Sequence, residues 1–133
     1  MHITLEADYA VRIVDCLAKH KVRMDAKSIA ACTGVTLRFS LKILRKLVAE
    51  GVVCSFKGTQ GGYELAKPAN EIALGEVIEI VEGPVTISRC VGASPDEYQC
   101  TRVEKTEECR YCRTYEEIAK MVREKLYSVH FGE

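Results

Sequence analysis

The 133-residue sequence predicts a mostly α-helical fold carrying a small β-hairpin, with a long helix near its C-terminal end. Three observations predict it. Apolar residues recur at helical spacing in residues 5–20 and 36–51, two β-rich segments flank the glycine tip "GTQGG", and "TYEEIAKMVREKLYSV" carries a further helical stripe. The apolar fraction of 47% is enough for a folded core. No run approaches the roughly 18 apolar residues of a membrane span. The opening "MHITLEADYAVRIV" carries Glu6, Asp8 and Arg12 within its apolar stretch, unlike a signal peptide. The expected compartment is the cytoplasm, where thiols stay reduced and clustered cysteines bind metal or do redox chemistry.

Each element follows from local signals. In residues 5–20, Ala10, Ile13, Val14, Leu17 and Ala18 form one apolar face, and Thr4 can cap the helix. "RMDAKSIAACTGV" then gives a short helix capped by Asp25, with Gly34 as the turn. Thr36 caps the next helix and Gly51 ends it. Leu37, Leu41, Ile43, Leu44, Leu47 and Val48 share a broad apolar side, with Arg38, Lys42 and Arg45 along the opposite line. Two short helices joined at a glycine, the second with a basic outer stripe, make a helix-turn-helix pattern, although a solvated charged face gives the same stripe. "VVCSFKGTQGGYELAKP" reads as a hairpin directly after that helix, in the position of a wing. Lys57 stands at its base, and Gly58, Gln60, Gly61 and Gly62 form a tip that can approach a phosphate or groove closely. The glycines do not continue into a Walker loop.

"LGEVIEIVEGP" is another short helix, with Leu74, Val77, Ile78 and Val81 on one face and Gly83-Pro84 closing it. Some 30 residues without periodicity follow. The last helix is expected to begin at a capping box of Thr114 and Glu117. Its stripe of Tyr115, Ile118, Val122, Leu126 and Val129 suits a partner helix or the chain's own domain. The organisation is thus residues 1–83 as a winged helix-turn-helix, 84–113 as a cysteine-rich loop, and 114–133 as a dimerisation helix and tail.

Charge divides along the same line. Residues 1–70 hold 11 Lys/Arg against 6 Asp/Glu, a net +5, and residues 71–133 hold 8 against 13, a net −5. A basic first half suits a polyanion.

Four of the seven cysteines, Cys90, Cys100, Cys109 and Cys112, fall in the loop, separated by nine, eight and two residues. The two-residue gap lets both thiolates reach one centre, and the wider gaps let a loop wrap it. Four thiolates suit zinc, a 2Fe–2S or a 4Fe–4S cluster, and spacing alone does not choose. A helix N-terminus just after Cys112 favours an anionic centre. Cys16, Cys32 and Cys54 stand singly in regular elements and read as small buried thiols.

"DYAVRIV", "SIAACTGVTLRFSLKILRKLVAEGVV" and "KGTQGGYELAKPANEIALGEVIEIVEG", with the later cysteines, resemble the Rrf-type winged-helix regulators, the IscR and NsrR group. The resemblance runs along nearly the whole chain, with "GGYELAKP" into "IALGEVIEIVEG" its most specific part. It implies a homodimeric bacterial transcription regulator, not an enzyme, that binds double-stranded DNA and an iron–sulfur cluster and takes no small-molecule substrate. Cys90, Cys100 and Cys109 match the family's three cysteine ligands. Cys112 stands where the IscR type has a ligand histidine, and Asp8 matches the aspartate that the NsrR type supplies from the partner subunit. A thiolate holds iron better than a carboxylate, which favours Cys112 as the fourth ligand. The gaps between the first three cysteines are longer than in familiar members. The implied DNA contacts are Thr36, Arg38, Phe39, Lys42, Arg45, Lys57, Gly58 and Gln60. Leu41 and Lys42 replace a polar pair seen in IscR, so its operator is a poor guide here. The implied signals are iron supply, oxygen, nitric oxide or redox poise. The alternatives are a winged-helix regulator with structural zinc or control by a partner protein, and a small iron–sulfur redox protein.

Overall fold

The computed structural model describes residues 2–92, 100–101 and 109–132. Helix α1 (Leu5–His20) is followed by α2 (Ala26–Thr33), α3 (Leu37–Ala49), strands β1 (Val53–Phe56) and β2 (Gly62–Leu65), a 3₁₀ turn (Ala69–Glu71), α4 (Leu74–Glu82) and α5 (Arg110–Tyr127). No described helix is long and apolar enough to cross a membrane.

Polar caps set the first three helices. The side chains of Thr4, Asp25 and Thr36 accept from the N–H groups of Ala7, Ser28 and Phe39, satisfying amides that helix geometry leaves unpaired. Lys21 and Gly34 adopt left-handed conformations that stop α1 and α2. Ile13, Val14 and Leu17 of α1 meet Ile29 of α2, Ile43, Leu44 and Leu47 of α3, and Val77 of α4 in one buried core.

β1 and β2 pair antiparallel, from Val53 opposite Leu65 to Phe56 opposite Gly62. Residues ahead of α2 add a third rung that the sequence did not announce. Met24 N–H donates to the Tyr63 carbonyl at 3.0 Å, and Tyr63 N–H donates back at 2.7 Å. Gly62 permits this approach, because a Cβ there would lie 2.6 Å from the Met24 carbonyl oxygen.

α5 differs most from expectation. It begins at Arg110, with Cys109 at the capping position, rather than at a Thr114–Glu117 capping box. Thr114 lies inside the helix, and its hydroxyl donates 2.8 Å to the Arg110 carbonyl. The extra turn places Cys109 and Cys112 three residues apart, on neighbouring positions of the helix start.

α5 docks on α4 through Glu79. Its carboxylate accepts from Arg123 Nε at 3.1 Å, from the Tyr127 hydroxyl at 2.5 Å and from the Val85 N–H at 3.1 Å. Gly75 leaves room for the Tyr127 ring against α4, since a Cβ would come 2.3 Å from Cδ2. Within the chain α5 fully buries only Cys112 and Ala119. Tyr115, Val122 and Leu126 are half-buried, whereas Ile118 and Met121 are exposed, Met121 by 68%.

Candidate functional site

The first candidate surface is the outer side of α3. Thr36 is engaged as the cap, accepting from the Phe39 N–H at 3.2 Å. Leu37, Arg38, Phe39, Leu41, Lys42 and Arg45 line one open groove. Leu37 and Leu41 were expected on the buried side; instead they are 39% and 40% exposed, and Ser40 is buried in their place. The core-facing line of α3 is Ser40, Ile43, Leu44 and Leu47, and Leu37 and Leu41 fall on its flank. An apolar strip therefore lies among the cations.

Electrostatics hold this face in place. Glu6 of α1 receives Lys46 Nζ at 2.9 Å and lies 3.7 Å from Lys42 Nζ. The Lys46 hydrogen bond holds the Glu6 carboxyl below the usual glutamate range. Lys42 Nζ also stands 5.7 Å from the Phe39 ring centroid, and that ring packs edge-on to Tyr9. Arg38 and Arg45 are exposed.

The hairpin tip projects beside α1–α2. Lys57, Gly58 and Gln60 are all exposed. Arg23, unremarked in the sequence, fixes the tip. Its guanidinium lies 3.4 Å from the Phe56 ring centroid, donates 3.0 Å to the Gln60 carbonyl and sits 3.6 Å from Glu64. Only its place in the fold reveals that role; the sequence offers a lone arginine before a cap.

The second candidate site is a group of thiols at the start of α5. Cys109 and Cys112 are buried and Cys90 is half-buried. Cys112 Sγ reaches toward the Cys90 carbonyl at 3.9 Å, and Ser88 Oγ lies 3.3 Å from Cys90 Sγ. The Ser88 hydroxyl, then the Cys112 thiol, lowers the Cys90 thiol below its ordinary value. The same pairing with Cys90, reinforced by burial, pushes Cys112 up to about 12. The Cys90–Cys112 pairing thus acts in opposite directions on the two thiols. The chain turns into Cys90 through Ile87, whose φ of 65° is unusual for a β-branched residue.

Cys100 is half-buried and lies between residues 93–99 and 102–108, which fall outside the described residues, as does the expected wrapping of the loop. Asp8 pairs with Arg12 at 2.8 Å on the outer face of α1. By chemistry Cys90, Cys109 and Cys112 suit an iron–sulfur cluster or zinc, being soft thiols near a helix start whose capping residue makes no side-chain hydrogen bond, although the three sulfurs do not all stand within 4.8 Å of one another and would have to close up around an ion.

The remaining cysteines are not the three isolated buried thiols expected. Cys16 is buried, but its Sγ lies 2.8 Å from that of Cys32, which is exposed; Cys54 is half-buried. The signal was present as Cys16 and His20 one helical turn apart, but only the α1–α2 packing brings Cys32 to them.

Helix, turn, helix and a paired hairpin with a reading-type groove on α3 define the class: a winged helix-turn-helix protein. Residues 3–133 match the family Rrf2, described as "Iron-dependent Transcriptional regulator". The chain belongs to that family of transcription regulators. It is 35% identical over 94 residues to a Mycobacterium tuberculosis protein described as an HTH-type transcriptional regulator, covering 69% of this chain and 58% of that one. It is 35% identical over 94 residues to IscR of Pectobacterium carotovorum, covering 69% and 57%. The chain thus spans less than two thirds of the length of these relatives. Among solved structures, CymR of B. subtilis superposes with a TM-score of 0.75 at 23% identity, covering 98% of this chain and 92% of that one. IscR of T. potens gives 0.74 at 23%, covering 98% and 82%, and both support the fold.

Proposed function

We propose that the protein is a homodimeric, DNA-binding transcription regulator whose operator affinity is set by an iron–sulfur cluster held by Cys90, Cys109 and Cys112 with Cys100. The observation that carries this reading is the convergence of Cys90 and Cys112 at the start of α5, the helix that Glu79 fastens to the winged domain.

Each part has its chemistry. Arg38, Lys42, Arg45 and Lys57 supply cations for phosphates or base edges. Leu37, Phe39 and Leu41 supply apolar contact within the groove. Thr36 holds the helix start, and Gly58 and Gln60 form the wing tip that Arg23 steadies. Ile118 and Met121, exposed on α5, suit a second copy of the same helix, so that two reading heads meet half-sites roughly 34–36 Å apart per helical turn. When bound, the cluster would supply a covalent brace between residues 90 and 109–112 that iron supply, oxygen, nitric oxide or redox poise can break. Ser88 and the α5 amides would stabilise its anionic thiolates. A coupling of about 1–3 kcal/mol between that brace and DNA affinity gives a five- to 150-fold switch.

The test is anaerobic purification with iron and sulfide analysis, followed by operator selection on loaded and stripped protein. The reading expects iron and inorganic sulfide with thiolate charge-transfer absorbance, lost in Cys90→Ser and Cys112→Ser, and a change in DNA affinity on stripping. Colourless protein with stoichiometric zinc at these cysteines would replace the cluster by structural zinc. Electron transfer without salt-dependent duplex binding would refute the regulator altogether.

A further inference from the structure

The corner between α1 and α2 holds donors that the proposed function leaves unused. We propose that Cys16, His20 and Cys32 form a second site, inside the winged domain itself, for a single zinc-type thiophilic cation. The two Sγ atoms and a His20 ring nitrogen all lie within 4.8 Å of one another, and among the described residues this is the set of three such donors that does so. Met24 Sδ, a fourth soft atom, stands 3.8 Å from Cys16 Sγ.

The donors come from two elements. Cys16 and His20 are one turn apart on the last turns of α1, and Cys32 is the penultimate residue of α2. An ion held by all three would clamp the helix that precedes the turn to the helix that supports it. The set is soft: two thiols and an imidazole match the Cys–Cys–His combinations that take zinc. Access is provided, because Cys32 and His20 are exposed and open into a groove lined also by Arg12, Asp15, Lys19 and Thr33. Asp15, which borders the groove, is paired with Lys19 at 2.7 Å, so the next coordination position falls to water or to a displaced Asp15.

The geometry needs a small adjustment. Tetrahedral zinc with bonds of about 2.3 Å sets its sulfurs roughly 3.8 Å apart. They now stand at 2.8 Å, and the exposed Cys32 side chain is free to rotate outward. His20 Nδ1 lies 2.8 Å from the Cys16 carbonyl, a contact that orients the ring and survives if Nε2 is the ligand. Zinc binds thiolates, so uptake from thiols is accompanied by proton release and weakens as pH falls.

The experiment uses the full chain in a background carrying Cys90→Ser, Cys100→Ser, Cys109→Ser and Cys112→Ser together. The outcome is then independent of the iron–sulfur reading. Anaerobic titration with zinc, competed by a chromophoric chelator, should give one equivalent bound. Cobalt in its place should show thiolate charge-transfer and tetrahedral d–d bands. Cys32→Ser and His20→Gln, both at exposed positions, should each weaken zinc at least about 100-fold. Zinc should raise the thermal midpoint by about 5–10 °C in the parent and not in these variants. Should the four-serine background fail to fold, the native chain serves, with Cys32→Ser expected to lose one equivalent of zinc. Stoichiometry and midpoint unchanged by both substitutions would overturn the site. So would anaerobically isolated protein that takes up no zinc and yields Cys16 and Cys32 peptides joined and two hydrogens lighter.

Discussion

Replacing Glu79 by alanine should uncouple α5 from the winged domain, and the cost can be worked from its partners. The carboxylate is largely covered, 13% exposed, and receives three donors. A hydrogen bond to a charged group contributes about 1.5–3 kcal/mol, and less where water can reach the abandoned donor. Val85 and Tyr127 are half-buried, so about 1–1.5 kcal/mol each is reasonable. Arg123 is 56% exposed and turns to solvent, adding at most about 0.5 kcal/mol. Glu79→Ala should therefore destabilise by about 2–3.5 kcal/mol in urea unfolding, with Tyr127→Phe near 1 and Arg123→Ala below 0.5. Hydrogen exchange should show the α5 amides opening more readily than those of α1 and α3. Burial and the Glu79 contact also raise the Tyr127 hydroxyl above its ordinary 10.0. The stability this represents is present below that value and lost as pH rises through the higher folded one; Tyr127→Phe should remove that alkaline limb. A Glu79→Ala cost under about 0.5 kcal/mol, or an Arg123→Ala cost equal to it, would refute the assignment of Glu79 as the junction.

Three further expectations concern other joints. Gly75→Ala should cost about 1–2 kcal/mol by calorimetry, because the clash with the Tyr127 ring exceeds the helix-propensity gain of about 1 kcal/mol; adding Tyr127→Ala should erase the clash component. The lowered Glu6 carboxyl stabilises the fold above its ordinary 4.5 and loses that contribution as pH falls through the lower folded value, so Glu6→Gln should flatten the acid limb of a stability–pH profile. Lys42→Ala should reduce the slope of log affinity for duplex DNA against log salt by about 1 if Lys42 neutralises a phosphate, as fluorescence anisotropy across salt concentrations would show.

The helices were legible where local chemistry decides them. Thr4, Asp25, Thr36 and Gly34 sit at element ends because a side-chain oxygen or a left-handed turn is required there, and such signals need no tertiary information. The start of α5 was misplaced because Thr114 and Glu117 imitate a capping box, whereas the helix continues back to Arg110, with Cys109 as its cap. Leu37 and Leu41 read as core because periodicity counts apolar residues without knowing which arc meets α1. Their exposure becomes evident only when Ser40 is seen to take the inward position. The thiol pair Cys90–Cys112 was approached through sequence spacing, but Ser88 beside it and the Cys16–Cys32 contact both depend on packing between elements far apart in the chain.

Glu79 also explains how a change among the loop thiols would reach α3 without touching it. Cys90 follows the segment whose Val85 N–H is held by Glu79, and Cys109 and Cys112 open the helix whose Arg123 and Tyr127 are held by the same carboxylate. Glu79 therefore touches both the stretch leading to Cys90 and the later half of the helix that Cys109 and Cys112 open. α4 in turn packs against α1 and α3, and α1 carries the Glu6 that restrains Lys42 and Lys46. Under the proposed function, a change in the separation of Cys90 and Cys112 would act on α4 as a shift of these attachments, which α4 would pass on by moving against α1 and α3. This requires α4 to have two settings of comparable energy, since a single rigid setting would absorb the strain locally. On the proposed function, Glu79→Ala should leave thiol chemistry at Cys90 and Cys112 intact and remove the difference in DNA affinity between loaded and stripped protein, as anisotropy on both forms would show.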